Sequence, residues 1–340
     1  MPAARFITGL DGVALGDDER RILRDAEPAG LILFARNCLT RDQLYRLVSE
    51  ARDAIGRDDT LVLIDQEGER VQRLKPPEWR ALPNASDFVA RFASDPEAAY
   101  IDAQTTARLI AHDLREVGIT SNCAPVLDRP VPDAHDIIGE RAFGCDAETI
   151  IPLAQAFAAG LTEGGVVPIG KHVPGHGRAR ADTHIELAVV ETSRDELAET
   201  DFAVFQACAE LPAMMTAHVV YAAIDDTAPA STSRRVHAEI IRGSIGFDGL
   251  LMSDDIGMAA LEGTFERRTE QVIAAGSDLV LHCSGVLREM EAVATAAPRV
   301  DATVDARINA CIAITHAIAP FDLVAAEAQL ADVLERRKSA

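Results

Sequence analysis

The sequence predicts an α/β fold, a single-domain (β/α)8 barrel of the TIM type. Short apolar runs alternate eight times with longer amphipathic stretches along 340 residues. The runs are almost continuously apolar, which suits a parallel sheet covered on both faces. No Ser/Gly/Pro-rich linker, internal repeat or low-complexity segment divides the chain. The expected organisation is a catalytic barrel over 1–335 and a polar C-terminal tail over 336–340.

The expected strands are Arg5–Gly9, Leu31–Phe34, Leu61–Asp65, Thr120–Ala124, Pro168–His172, Ala213–His218, Leu250–Asp254 and Leu279–Leu281. Between them lie helical patterns. Thr40 to Gln43 has capping-box spacing, and Leu44, Leu47, Val48, Ala51, Ala54 and Ile55 recur at helical intervals. Ser94 to Glu97 repeats the cap signal for a helix that runs toward Glu116 and stops at Gly118. Ser193 to Glu196 opens another. Gly276 closes one that starts near Glu262, and the stretch from Asp301 reads as purely helical.

Composition narrows the function. Asp and Glu number 54 against 33 Lys and Arg, a formal charge of −21. Such a surface repels phosphate backbones and anionic lipid, so neither nucleic acid nor membrane is an expected partner. Six cysteines at 38, 123, 145, 208, 283 and 311 form no C-x-x-C pair and read as reduced core thiols. The N-terminus lacks the apolar stretch of a signal peptide, and the longest apolar runs are shorter than a membrane helix. The expected compartment is the cytoplasm.

The polar residues that stand out follow strand ends, where a barrel of this type places its chemistry. They are Asp65-Gln66-Glu67-Gly68, Lys171-His172-Val173-Pro174-Gly175-His176-Gly177, Asp182-Thr183-His184, His218 and Ser253-Asp254-Asp255, with Ile138-Gly139-Glu140-Arg141 between strands four and five. Asp182 and His184 stand two apart. In an extended stretch they share a face, where an aspartate can orient an imidazole for general acid/base work. Strand alternation lets only one of Asp254 and Asp255 look into the barrel mouth. That carboxylate can serve as nucleophile, base or metal ligand.

The block Lys171 to Gly177 followed by Asp182-Thr183-His184 resembles the signature of bacterial β-N-acetylhexosaminidases of glycoside hydrolase family 3. So do Ile64 to Gly68 through Arg73, Ile138 to Arg141, Met215-Thr216-Ala217-His218 and Met252 to Asp255. The blocks keep the family's order over roughly residues 5 to 290. The resemblance implies a retaining hydrolase that removes terminal β-linked N-acetylglucosamine, with GlcNAc-1,6-anhydro-MurNAc, with or without peptide, as substrate in peptidoglycan recycling. Asp254 matches the nucleophile, His184 the acid/base and Asp182 its partner. Asp65, Arg73, Arg141, Lys171 and His172 match positions that hold the sugar. The partner implied is a small carbohydrate, a muropeptide fragment; no cofactor and no metal are implied, and a monomer is favoured. Ile185 to Ala188 replaces a stretch where the family often has proline.

Four other readings compete. A β-glucosidase or β-xylosidase of the same family usually lacks the Asp182-Thr183-His184 insertion and carries a second domain. A metal-dependent hydrolase would use His172, His176, His184 and Asp254. A Schiff-base aldolase would be built on Lys171. A non-catalytic sugar-binding barrel would need no nucleophile.

The glycines around His176 and the polar run Arg178 to Ala181 predict that the loop 173–183 lacks a buried anchor and closes over bound sugar.

Overall fold

Alternate residues of eight short strands fill the interior of a closed barrel. The computed structural model describes residues 2–57, 59–181, 183 and 187–339. The barrel strands are β1 (Ala4–Gly9), β2 (Pro28–Leu33), β3 (Leu61–Ile64), β4 (Ser121–Asn122), β5 (Val167–Val173), β6 (Ala213–Thr216), β7 (Leu250–Asp255) and β8 (Leu279–His282). Each pairs in parallel with its sequence neighbours, and β1 closes on β8 through Phe6–Val280 and Ile7–Leu281. All eight expected strands are present; seven are short apolar runs, and the fourth, expected over Thr120–Ala124, is reduced to the polar pair Ser121–Asn122.

The interior holds Ile7, Ile32, Leu61, Leu63, Cys123, Val167, Ile169, Met215, Leu250, Met252 and Leu281. Their strand neighbours Leu31, Leu33, Val62, Ile64, Met214 and Leu251 pack outward with the helices. Each fully buried aliphatic side chain contributes roughly 1.5–3 kcal/mol. The alternation also fixes what stands above the interior. Counting in twos from Leu63, Ile169 and Met252 reaches Asp65, Lys171 and Asp254.

Helix starts follow local capping. The Thr40 hydroxyl accepts from the Gln43 N–H at 3.3 Å, and Ser193 accepts from Glu196 N–H at 3.3 Å. The helix Pro96–Glu116 is capped by Asp95, which accepts from Ala98 N–H at 3.2 Å, and not by Ser94. Proline at the first helical position fixes that start. Thr264 caps Phe265–Ala275, and Gly276 closes it at φ 124°.

The stretch from Asp301 is two helices, Ala302–His316 and Leu323–Ser339, separated by residues 317–322. The second includes Arg336–Ser339, expected to be a polar tail. Ala326 and Leu330 pack on Leu109, and Arg336 donates to Asp102 at 2.5 Å. Those contacts carry helix into a polar sequence.

All six cysteines are free, although Cys145 is exposed and Cys38 and Cys283 are half-buried. Among the described residues no helix is long and apolar enough to cross a membrane.

Candidate active site

The residues above the interior form a connected network of charge. Asp65 accepts from Lys171 Nζ at 2.8 Å and from Arg73 Nη2 at 3.0 Å. Lys171 Nζ also lies 2.6 Å from Glu67 Oε1. Arg141 grips Glu67 with two bonds, Nε to Oε2 at 2.8 Å and Nη2 to Oε1 at 2.9 Å. Two sequence-expected cations, Lys171 and Arg141, therefore meet at Glu67, which sequence reasoning left without a role, and Arg73 joins the network through Asp65. A signal was available: Glu67 lies two residues beyond Asp65, in the same polar block.

The frame of this network is backbone. Gln66 and Asn122 exchange two bonds, Gln66 N–H to Asn122 Oδ1 at 2.9 Å and Asn122 Nδ2 to Gln66 O at 2.8 Å. The Gln66 side-chain oxygen accepts from the N–H groups of Arg73 and Leu74 at 2.9 and 3.0 Å, holding Arg73 beside Asp65.

The electrostatics follow from this pairing. Burial opposes charge on Asp65, yet Lys171 and Arg73 outweigh it and hold the carboxyl well below its ordinary range. Glu67 is lowered in the same way, by Arg141 and Lys171 against burial. Burial works against the Lys171 ammonium, but Asp65 and Glu67 hold its pKa above the usual lysine value. A lysine so held is a hydrogen-bond donor and a poor amine nucleophile, which argues against Schiff-base chemistry.

Asp254 is half-buried at the end of β7. Its Oδ1 accepts from the Asp255 N–H at 2.8 Å, and no side chain among the described residues donates to it. Burial pushes this carboxyl up. His172, His218, the Asp255 N–H and Lys171 together outweigh burial and bring it below the ordinary value. Asp255 is occupied otherwise. Its Oδ1 accepts from the N–H groups of Gly257 at 2.9 Å and Cys283 at 3.1 Å, closing the turn after β7. The two adjacent aspartates thus divide into one available carboxylate and one that shapes backbone.

His218 is buried and supports that turn. Its Nε2 meets the Asp255 carbonyl oxygen at 2.9 Å, and its Nδ1 meets Ser231 Oγ at 2.6 Å. A carbonyl only accepts, so Nε2 carries the proton and Nδ1 accepts from the serine.

His172 Nδ1 is 2.6 Å from Asp128 Oδ2, and His176 Nε2 is 3.0 Å from Thr183 Oγ1. These bonds commit one nitrogen of each ring and weaken the reading of a shared metal site. Asp128 was missed because nothing in Val126-Leu127-Asp128 marks it; its partners lie 44 residues away or more.

Asp182 and His184 lie outside the described residues. The loop before them differs from expectation. Ala179 is buried, and the Gly177 and Ala179 carbonyls accept from Val131 N–H at 3.2 Å and His135 N–H at 2.8 Å. Arg178 donates to Asp201 at 2.7 Å, Glu196 at 2.8 Å and Thr200 at 3.0 Å. The loop is therefore anchored through Ala179, and the premise that it has nothing to bury is overturned. Gly175 takes φ 134°, whereas Gly177 is needed because a Cβ there would sit 2.1 Å from the Arg129 carbonyl oxygen.

Fold and site together define a barrel whose mouth offers an ionised carboxylate beside clustered hydrogen-bond donors and acceptors, the equipment of a glycoside hydrolase. The chain belongs to glycosyl hydrolase family 3: the description of that family's N-terminal domain matches residues 7–313. Over 283 residues it is 38% identical to a β-hexosaminidase of Alkalilimnicola ehrlichii, spanning 82% of this chain and 80% of the relative. The structure of native NagZ from Neisseria gonorrhoeae superposes with a TM-score of 0.87 at 30% identity, covering 98% of each chain. NagZ from the same organism in complex with N-trifluoroacetyl-D-glucosamine gives 0.86 at 29% identity, again over 98% of each.

Proposed function

We propose that this enzyme, a β-N-acetylhexosaminidase of family 3, removes terminal β-linked N-acetylglucosamine from the cytoplasmic wall fragment GlcNAc-1,6-anhydro-MurNAc, with or without peptide, and retains configuration. The observation that carries the reading is Asp254. It is the last inward residue of β7, kept ionised, and it is free of any side-chain donor among the described residues.

In the first step an Asp254 oxygen attacks the anomeric carbon as the bond to the aglycone breaks. A proton from His184 goes to the departing oxygen. In the second step water attacks the same carbon, His184 takes its proton and Asp254 leaves. Asp182 orients His184. Asp65 accepts from sugar hydroxyls, while Arg73, Arg141, Lys171 and His172 fix the ring. A histidine suits both halves of this cycle, because its unperturbed pKa of about 6.5 lies near neutrality. The relative bound to an N-acylated glucosamine supports the choice of sugar.

Paired nitrophenyl β-GlcNAc and β-glucose substrates test the reading. It expects much higher kcat/KM on the acetamido sugar, with the β-anomer as first product by NMR. Equal values on the two sugars, or the α-anomer first, would refute it.

A further inference from the structure

Asp128 has no exposed surface. It follows β4 on a segment laid against the end of β5: Val126 bridges Lys171 in parallel, and Leu127 N–H donates to the Lys171 carbonyl at 2.7 Å. A buried carboxylate is costly unless donors surround it. Asp128 has three. Its Oδ1 accepts from the backbone N–H groups of His172 at 3.1 Å and His176 at 2.7 Å. Its Oδ2 takes the His172 ring nitrogen Nδ1 at 2.6 Å. One oxygen shapes the backbone of the Lys171-to-Gly177 block, and the other faces a single imidazole atom.

An ionised carboxylate only accepts, so the contact requires a proton on Nδ1. Burial alone would raise the Asp128 carboxyl; His172 and His176 bring it down to about 2, so it is ionised throughout the working range. His172 is buried, and its ring lies 5.6 Å from that of His176. It heads the side chains whose charge favours ionised Asp254.

We infer that Asp128 is a positioning residue for His172: its carboxylate keeps a proton on Nδ1 and leaves Nε2 as the ring atom that meets the sugar. The inference rests on the proposed role of His172 in holding substrate. It assigns Asp128 no contact with the reacting atoms. His176, neutral and anchored to Thr183, does not compete for Oδ2.

The division between the two oxygens supplies the test. Asp128→Asn keeps an oxygen for the two backbone N–H groups and turns an amide NH2 toward Nδ1, which must then lose its proton. Imidazole ¹⁵N NMR, with the His172 signals assigned by their loss in His172→Gln, reads this directly. The wild-type enzyme should show protonated Nδ1, and the asparagine variant bare Nδ1. Its kcat/KM on nitrophenyl β-GlcNAc should fall roughly 10- to 100-fold, the scale for one lost partner of a buried polar pair. Bare Nδ1 in the wild type overturns the inference, and that measurement stands even if the variant does not fold. A folded variant with bare Nδ1 and wild-type kcat/KM also overturns it. If the wild-type enzyme leaves β-GlcNAc glycosides intact, the proposed function fails, whatever the His172 spectrum shows.

Discussion

The barrel carries a buried network of carboxylates and cations at each end. At the strand starts, Asp278 accepts from Leu251 N–H at 2.8 Å, Arg307 at 2.9 Å and Arg242 at 3.1 Å. The arginines there turn mostly to the main chain: Arg242 to the carbonyls of Phe247 and Gly249, Arg307 to that of Asp248, and Arg5 to those of Ser277 and Asp278. At the strand ends, Arg73, Lys171 and Arg141 turn to carboxylates that share the inward face. The lower network ties off backbone and holds strands in place. The upper one holds cations against anions above the core. On the proposed function, similar charge serves stability at one end and sugar binding at the other.

The largest contrast comes from reciprocal substitutions. Asp254→Ala should lower kcat roughly 10³- to 10⁵-fold while leaving denaturant unfolding unchanged, on the scale of losing a nucleophile. Asp278→Ala should cost about 3–5 kcal/mol of stability, because three donors lose their acceptor, and leave kcat per folded molecule intact. Loss of activity from Asp278→Ala at full stability would break the comparison.

Glu67→Gln sharpens it. The change keeps volume but removes the charge between Lys171 and Arg141, so KM should rise about 10- to 100-fold with a smaller change in kcat. Steady-state kinetics alone decide this, and an unchanged KM would make Glu67 a bystander.

Acid should weaken the fold through two buried imidazoles. Burial pushes His176 and His237 down to about 4, against an unfolded value near 6.5. Between those values the unfolded chain binds more protons, so stability is full above pH 6.5 and falls as pH drops toward 4. The loss is roughly 3 kcal/mol per ring over that window. Urea melts at pH 7 and 4.5 check it, and equal midpoints would contradict buried neutral rings.

The smallest effect is expected at Asp255. Asparagine can keep both backbone bonds through its single oxygen, so Asp255→Asn should change stability by less than about 1 kcal/mol and activity by only a few-fold. A loss as large as that of Asp254→Ala would reverse the roles of the two aspartates.

Most strands were legible because burial on both faces writes itself as unbroken apolar runs; β4, with polar Ser121 and Asn122, is the exception. Alternation showed that only one of Asp254 and Asp255 faces inward, and the family resemblance pointed to Asp254; a count in twos from Leu63 would have reached Glu67. Other features depend on partners far apart in sequence. Asp128 gains its meaning only when β4 and β5 lie side by side, and Arg178 looks like a solvated loop charge until Asp201 meets it. Ser94 and Asp95 are both capping residues, and the proline at 96 decides between them. The polar run from Arg336 stays helical because Asp102, on another helix, meets it.

Trapping with 5-fluoro-N-acetylglucosaminyl fluoride, followed by peptide mass spectrometry, tests the central claim most directly. The sugar should be found on Asp254, on the peptide that includes Met252-Ser253-Asp254-Asp255, and fragmentation should place it on residue 254. A label on Asp255, on any other side chain, or none at all despite full turnover would contradict it.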